Sequence, residues 1–393
     1  MLNNKFEKFY NFIDYKYSSE ESIVLRYHKL MPNLSEKNIL ETTMKEGARI
    51  FYYSNYKSVD LYLLDETSLM QTGTFKSIDG CVISTLSKNN NSTKVCFASG
   101  GNTGSALTAY LNKIGIETFF FIPADNIRFL NSKIFRNEKA HLIAVEDPGK
   151  IKEAATLFDR IYKIRKVPDV QSRFISGKYR ACFIAENILQ HSFFDWFSQT
   201  ISAAFGPIGI YNTLTHLKNK GFITKIPKFL GVQQKENALM YDTWKRNTNI
   251  FKPKSIKTTK ELLIPIMYDN KPYTYGSYDL LSKLLRKTKG ELITINKKEF
   301  NIFLNNKFGS KIFDQMKKNK IEITMIDDEI VEKTGLVSLF GILKAIDMGL
   351  IKKDEKVLCA FTGGVSQVDG KAIPEFKIKR GQNLEKSFIK YNL

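Results

Sequence analysis

Residues 94–123 read KVCFASGGNTGSALTAYLNKIGIETFFFIP. The first five form a short β-rich run that breaks at the small, glycine-rich SGGNTG. SALTAYLNKIGI then spaces its apolar residues at helical intervals, and ETFFFIP returns to strand. This is a βαβ unit, and the same grammar carries on outward. NIRFLNSKIFRNE (126–138) predicts a helix, AHLIAVE (140–146) a strand, and DPGKIKEAATLFDRIYKIRK (147–166) a helix with an Asp cap and an early proline. Strands alternating with helices of this length argue for a parallel sheet covered on both faces.

The second half repeats the pattern. TISAAFG (200–206) is an apolar strand running into a glycine turn, IYNTLTHLKNKG (210–221) a helix, and KFLGVQQ (228–234) a strand. Further on, SLFGILKAIDMGLI (338–351) predicts a helix and KVLCAFTGG (356–364) a strand that again ends in glycines. Three strands thus finish in small-residue turns, at 99–104, 206–209 and 362–364. In open α/β sheets ligands sit beyond the carboxyl ends of strands, where backbone N–H groups and helix N-termini face the crevice. SKNNNSTK (87–94) reads as a surface loop between two regions. No internal repeat and no low-complexity linker is visible.

Composition bounds the rest. A chain of 393 residues is long for one core, so two domains are expected, and 43% hydrophobic residues can fill them. The four cysteines, Cys81, Cys96, Cys182 and Cys359, are far apart in apolar contexts and form no CxxC pair, as small buried hydrophobes in a reducing compartment would. His28, His141, His191 and His216 form no metal-ligand spacing. The beginning of the chain has no uninterrupted apolar stretch of the secretion-signal type, and runs such as ETFFFIP are too short to cross a bilayer. A soluble, cytoplasmic protein is expected, without a membrane partner. The formal charge of +20 raises nucleic acid as a partner. The lysines are spread along the whole chain, however, and no helix-turn-helix, zinc finger or RNP-like aromatic pattern accompanies them. A solvated basic surface is the plainer reading, with a pull on anionic substrates as a compatible addition.

The chemistry hangs on order. The chain runs LLDETSLMQTGTFKS (63–77), then a strand into ASGGNTGSA, then AAFGPIG, and finally VLCAFTGG. That order resembles the fold-type II pyridoxal phosphate (PLP) enzymes of the tryptophan synthase β-like superfamily, most closely threonine synthase, over roughly residues 60–370. In that family a DE…NPTGSFKDRG segment carries the lysine that forms a Schiff base with the cofactor, an ASSGNTG loop follows, then a glycine-rich phosphate cup and a TGHG-like strand end. The resemblance implies two α/β domains, each with a mostly parallel sheet flanked by helices. The smaller would span 94–192, the larger 1–93 plus 193–393, with PLP in the cleft and the small domain closing on substrate.

The resemblance also assigns roles. Lys76 would carry the Schiff base and then, freed, move protons; an Arg could do neither. Asn102 would bond the cofactor's 3′ oxygen. Ser99, Gly100, Gly101 and Thr103 would hold the substrate carboxylate at a helix start, where Ser99 and Thr103 could equally be caps. Gly206, Pro207, Ile208 and Gly209 stand at the phosphate cup: the two glycines keep its pattern, Pro207 and Ile208 replace small residues and Pro207 has no N–H, so either the remaining amides and Asn212 complete the cup or the cofactor is bound more weakly than in relatives. Thr362 would face the pyridine nitrogen, and a neutral hydroxyl there suits elimination and replacement. Lys178, with Arg180 close by, would hold a substrate phosphate; two exposed cations on a helix are the other reading.

Departures from the pattern are specific. Ser77-Ile78 stand where the family has Asp-Arg, which puts the usual substrate, O-phosphohomoserine, in question. EKTGLVS (332–338) replaces EPTSAA and keeps Glu332. The expected activity is a PLP-dependent lyase or synthase that eliminates phosphate from a phosphorylated amino acid and adds water or another nucleophile. The alternatives are β-replacement on O-phosphoserine, as in cysteate and cysteine synthases, and deamination of serine or threonine. A basic nucleic-acid-binding or regulatory protein on a degenerate scaffold is the non-enzyme reading. Relatives are often dimers, which makes a homodimer one candidate assembly; the sequence itself leaves the oligomeric state open.

Overall fold

Successive side chains of a strand point to opposite faces, so a strand buried on both sides has to be apolar throughout. Glu117–Pro123 is such a strand. Phe120 and Ile122 go into one core with Phe97, Leu107 and Leu142, whereas Phe119 and Phe121 go into another with Ile143, Val145, Ala154 and Phe158. The computed structural model describes residues 9–31, 34–190, 193–253, 256–270, 277–326, 328–364 and 368–389. Its class is α/β, with sheets dominated by parallel pairing and flanked by helices.

The larger sheet contains β1 (Arg49–Tyr56) and β2 (Val59–Asp65), and the smaller begins with β3 (Lys94–Ala98), β4 (Glu117–Pro123) and β5 (Ala140–Val145). The larger resumes with β6 (Trp196–Thr200), β7 (Lys228–Gln234), β8 (Glu291–Ile295) and β9 (Lys356–Phe361), and β10 (Phe376–Ile378) completes the smaller. The strand orders are β1-β2-β9-β6-β7-β8 and β10-β5-β4-β3. Only the β1–β2 pair within them is antiparallel. The larger sheet alternates like the smaller: Phe197, Phe229, Leu292 and Leu358 face one core, and Trp196, Leu230, Ile293 and Val357 the other.

The helices that matter for the site are α1 (Lys76–Asn89), α2 (Asn102–Lys113), α3 (Ile151–Tyr162), α4 (Val170–Gln190), α5 (Phe205–Asn219) and α6 (Thr334–Asp347). Helix α1 packs on α2 and α4 on α5. The last contact is close: a Cβ on Gly209 would lie 2.8 Å from the Phe174 carbonyl oxygen and 3.1 Å from Gly177 Cα. Glycine at both positions lets the helix backbones approach.

Away from the site, three sequence expectations differ from the structure. Residues 126–138 form no α-helix; two short 3₁₀ turns, Ala124–Phe129 and Ser132–Arg136, take their place. The Asn126 side chain there donates to the carbonyls of Gly100 and Pro265, a tertiary use that overrides the helical spacing. Helix α1 runs on through Asn89, so only the end of SKNNNSTK is loop. Residues 376–378 pair with β5 of the smaller sheet, and the Tyr162 hydroxyl donates to the Phe388 carbonyl at 2.6 Å, so this part of 193–393 is built into the small sheet.

All four cysteines are buried and unpaired. His28 bonds Asp14 at 3.0 Å and lies near Glu36, and His141 bridges Glu117 and Glu375. His191 lies outside the described residues. Among the described residues no helix is long and apolar enough to cross a membrane.

Phe158 joins α3 to the sheet, its ring 5.1 Å from Phe119, 5.3 Å from Phe121 and 5.4 Å from Phe388. Phe158→Ala is expected to cost about 3–5 kcal/mol, because it removes a ring packed against Phe119, Phe121 and Phe388 and leaves a cavity among them. Urea unfolding followed by fluorescence reads the loss as a lower midpoint at unchanged slope.

Candidate active site

The strands β2, β3, β6 and β9 deliver their carboxyl ends, and the loops that follow, to one cavity between the two sheets. Counting its open mouth, the cavity takes in roughly 930 Å³.

After β2 the chain turns on Asp65, whose carboxylate accepts from the Thr67 amide (3.0 Å), the Thr67 hydroxyl (2.7 Å) and Arg49 Nε (3.0 Å). Glu66 and Arg180 of α4 are completely buried and joined by two hydrogen bonds of 2.5 and 2.6 Å. The Arg180 guanidinium also sits 4.7 Å from the ring centre of Phe75. Phe75 donates its amide to the Thr362 carbonyl at 3.3 Å, linking the loop to the end of β9. Lys76 then opens α1, half-buried, with Nζ 2.7 Å from Asp79 Oδ2 and 4.2 Å above the Phe75 ring. Burial pulls its ammonium below the ordinary lysine range; Asp79 opposes the shift and Arg173 reinforces it. An amine that sheds its proton more readily is what nucleophilic use of a lysine needs.

After β3, Ser99–Thr103 turn into α2. Gly100 lies against the Ile266 carbonyl, where a Cβ would fall 2.2 Å from the oxygen. The Ser99 hydroxyl accepts from the Gly101 amide at 3.1 Å, and Asn102 begins the helix. Ser99, Gly100, Asn102 and Thr103 line the cavity together with Lys76 and Thr362. Gly101 is set back against Ile266 and is not part of the wall.

After β6 the structure differs from the sequence reading. The turn is Ile201–Ala204, and α5 has already begun at Phe205. Ala204 is left-handed (φ 60°, ψ 20°), and the first amide bonded back into the helix is Ile208, to Ala204 at 3.1 Å. The amides that precede it at a helix start have no intrahelical acceptor and favour an anion. Gly206 and Pro207 line the cavity, whereas Ile208 is core and Gly209 is the α4 contact described above. The amides without an intrahelical acceptor thus lie at 202–206, ahead of the 206–209 stretch read from the sequence. Proline at 207 is comfortable because the first turn of a helix needs no N–H there. Thr362 is 1% exposed, and its hydroxyl has no hydrogen-bond partner among the described residues; the same holds for Gln199 Oε1 on the neighbouring strand β6. Unpartnered polar atoms in a cavity wall fit a polar aromatic group that would bond to them.

Lys178 is exposed on α4 and does not reach the cavity, and Arg180 is committed to Glu66. The cavity's cations other than Lys76 are Lys152 and Arg173, which the sequence did not single out. Lys152 pairs with Asp269 at 2.8 Å, and Arg173 lies 4.8 Å from the Phe205 ring centre. A strap of residues 258–269 also escaped notice. Gln234 holds Ile264 by both backbone groups and Thr259 bonds Asn126 at 2.6 Å, so Ile266–Asp269 are fixed across the cavity. Thr334 completes the wall; Glu332 accepts from its amide at 2.7 Å and from its hydroxyl. Spacing carried no signal for these residues, because they converge only in three dimensions.

A family model described as "Pyridoxal-phosphate dependent enzyme" matches residues 49–300. A cysteate synthase of Methanosarcina barkeri is 23% identical over 311 residues, covering 77% of this chain and 71% of that protein. A threonine synthase of Methanosarcina acetivorans is 22% identical over 359 residues, covering 88% and 81% respectively. Among solved structures, diaminopropionate ammonia lyase from Escherichia coli superposes with a TM-score of 0.59 at 11% identity, covering 85% of this chain and 90% of that one. At that identity the likeness shows the fold.

Asp79 favours the charged form of Lys76, so Asp79→Asn is expected to lower the pH at which Lys76 becomes reactive. Mass spectrometry of Lys76 labelled by an amine-selective reagent across a pH series reads the midpoint; an upward shift would contradict the arrangement. Glu66→Ala strands the Arg180 charge in the interior and is expected to cost about 3–5 kcal/mol in unfolding free energy, seen in denaturant titration.

Proposed function

The chain belongs to the pyridoxal-phosphate dependent enzymes, which take pyridoxal 5′-phosphate as cofactor. From that premise we propose that it is an amino-acid lyase or synthase that eliminates phosphate from an O-phosphorylated amino acid and adds water or another nucleophile to the product. The observation that carries the reading is the presence in one cavity of Lys76, the hydroxyl- and amide-rich Ser99–Thr103 loop and two further cations, Lys152 and Arg173.

The residues fit the cofactor. Lys76 would hold it covalently, the helix start at 202–206 would take its phosphate, Asn102 its ring oxygen and the unpartnered Thr362 hydroxyl its ring nitrogen. When bound, the cofactor supplies an electron sink for the substrate's Cα. This chain's own groups do the rest. Ser99, Gly100 and Thr103 bind the substrate carboxylate at the start of α2. The Lys76 amine, with its proton affinity lowered by burial, takes the proton from Cα and returns it. Lys152 and Arg173 face the departing phosphate, and each can stabilise its developing charge. The strap at Ile266–Asp269 excludes water from one side. A neutral Thr362 hydroxyl, were it to meet the ring nitrogen, would moderate that sink, which suits elimination and replacement better than transamination.

β-Replacement on O-phosphoserine is the second reading, and the matches to cysteate synthases, proteins whose name describes a synthase of a three-carbon amino acid, support it. Absorption spectra decide. Adding pyridoxal phosphate to the wild type is expected to produce a visible-range band that Lys76→Ala lacks. Supplying O-phosphohomoserine or O-phosphoserine in separate samples is expected to change the band and release phosphate with one of them, and turnover in Lys76→Ala is expected to drop by roughly 10²–10⁴-fold. A band that neither compound perturbs counts against a phosphorylated substrate.

A further inference from the structure

Beside the active-site cavity an open groove runs between α3 and the segment that leads into α4. Ala98, Lys152 and Arg173 belong to the walls of both, so the two spaces adjoin along those residues. The groove adds Thr156, Arg160 and Lys166 to that shared edge. Its acidic wall residue, Glu153, is turned to Lys150, whose Nζ lies 2.7 Å from its carboxylate. Lys166 donates to the Thr156 hydroxyl at 2.7 Å, a neutral partner that leaves its charge uncompensated. Among the described residues neither Arg160 nor Lys166 forms an ion pair. Lys152 and Asp269 pair at the boundary between groove and cavity. The basic surface of the chain is otherwise dispersed and often paired, so a four-cation wall that opens onto the reactive lysine's cavity is a local concentration of positive potential.

We propose that this groove is an anion-binding vestibule, a second and reversible site for a small inorganic oxyanion in passage to or from the active-site cavity. The inference rests on the proposed phosphate-elimination reading, which requires an anion to depart and, in the replacement form, another to arrive. Arg160 and Lys166 hold the ion in the groove; Lys152 and Arg173 pass it across the shared edge. Lining one groove, their charges act together on an anion, an attraction that low salt strengthens and high salt screens.

The test titrates inorganic phosphate, and separately sulfite as the simplest nucleophilic oxyanion of similar size, into the cofactor-loaded protein by calorimetry at low and high salt. The variants are Arg160→Gln with Lys166→Gln, the charge-keeping pair Arg160→Lys with Lys166→Arg, and Lys317→Gln with Lys318→Gln as a control for overall charge. The expected result is salt-sensitive binding that weakens at least about fivefold for each groove charge removed, is retained in the charge-keeping pair and is unchanged in the control. Weakening for phosphate alone assigns the groove to the departing anion, for sulfite alone to an arriving one, and for both to a shared route. Equal binding of both ions in the wild type and the glutamine pair, or equal loss in the control, overturns the proposal. The cofactor band and its response to O-phosphoserine and O-phosphohomoserine are recorded on the same samples. A responsive band with groove-independent anion binding defeats the vestibule alone; groove-dependent binding with an unresponsive band defeats the phosphate-elimination reading alone.

Discussion

The buried ion pair between Glu66 and Arg180 is the constraint from which the active-site architecture follows. It joins the loop after β2 to α4, two segments far apart in sequence, with both side chains fully buried. A charge pair so placed holds position more than it adds stability, because desolvation consumes most of the attraction. Position is what the site requires. Phe75 lies under the guanidinium, its amide is fixed to Thr362, and Lys76 follows immediately, so the lysine's place is set relative to both β9 and α4. The same neighbourhood sets its chemistry: one carboxylate at bonding distance, guanidinium groups beyond it, and little water.

Parallel sheets supply the remaining geometry. Every strand of such a sheet ends on the same side, so the loops after β6 and β9 emerge beside the loop after β2, while the smaller sheet presents the loop after β3 from across the cleft. The two sheets are bridged by the strap, whose links to Asn126 and Gln234 come one from each side. No single motif defines the site; strand direction gathers several weak ones.

Much of this was legible. The Glu117–Pro123 run, apolar on both faces, announced a covered parallel sheet, and the order of the lysine, asparagine and threonine segments indicated which residues would meet. Local spacing misled where tertiary contacts decide. Asn126 gives its side chain to Gly100 and Pro265, which breaks a helix that its neighbours' periodicity favoured. Gly209 looked like a ligand-approach glycine and is a helix-crossing glycine, since both uses demand the absence of a Cβ. Lys178 and Arg173 occupy one helix and differ only in which side they present, and without the helix's partners no sequence argument separates them. Lys152 and the strap contribute to the cavity by convergence alone.

The placement of β10 bears on how the chain is made. The smaller sheet's other strands are complete by Val145, yet the strand that pairs with β5 lies downstream of the entire larger sheet. During synthesis β5 therefore presents a bare edge, with unpaired amides and carbonyls, for as long as it takes to translate more than half the chain. An unpaired edge of that kind readily recruits foreign strands. A growing chain with this topology has reason to be shielded by a chaperone at that edge, and a message cut short before β10 would yield a product whose upstream residues are all intact and whose surface is nonetheless adhesive.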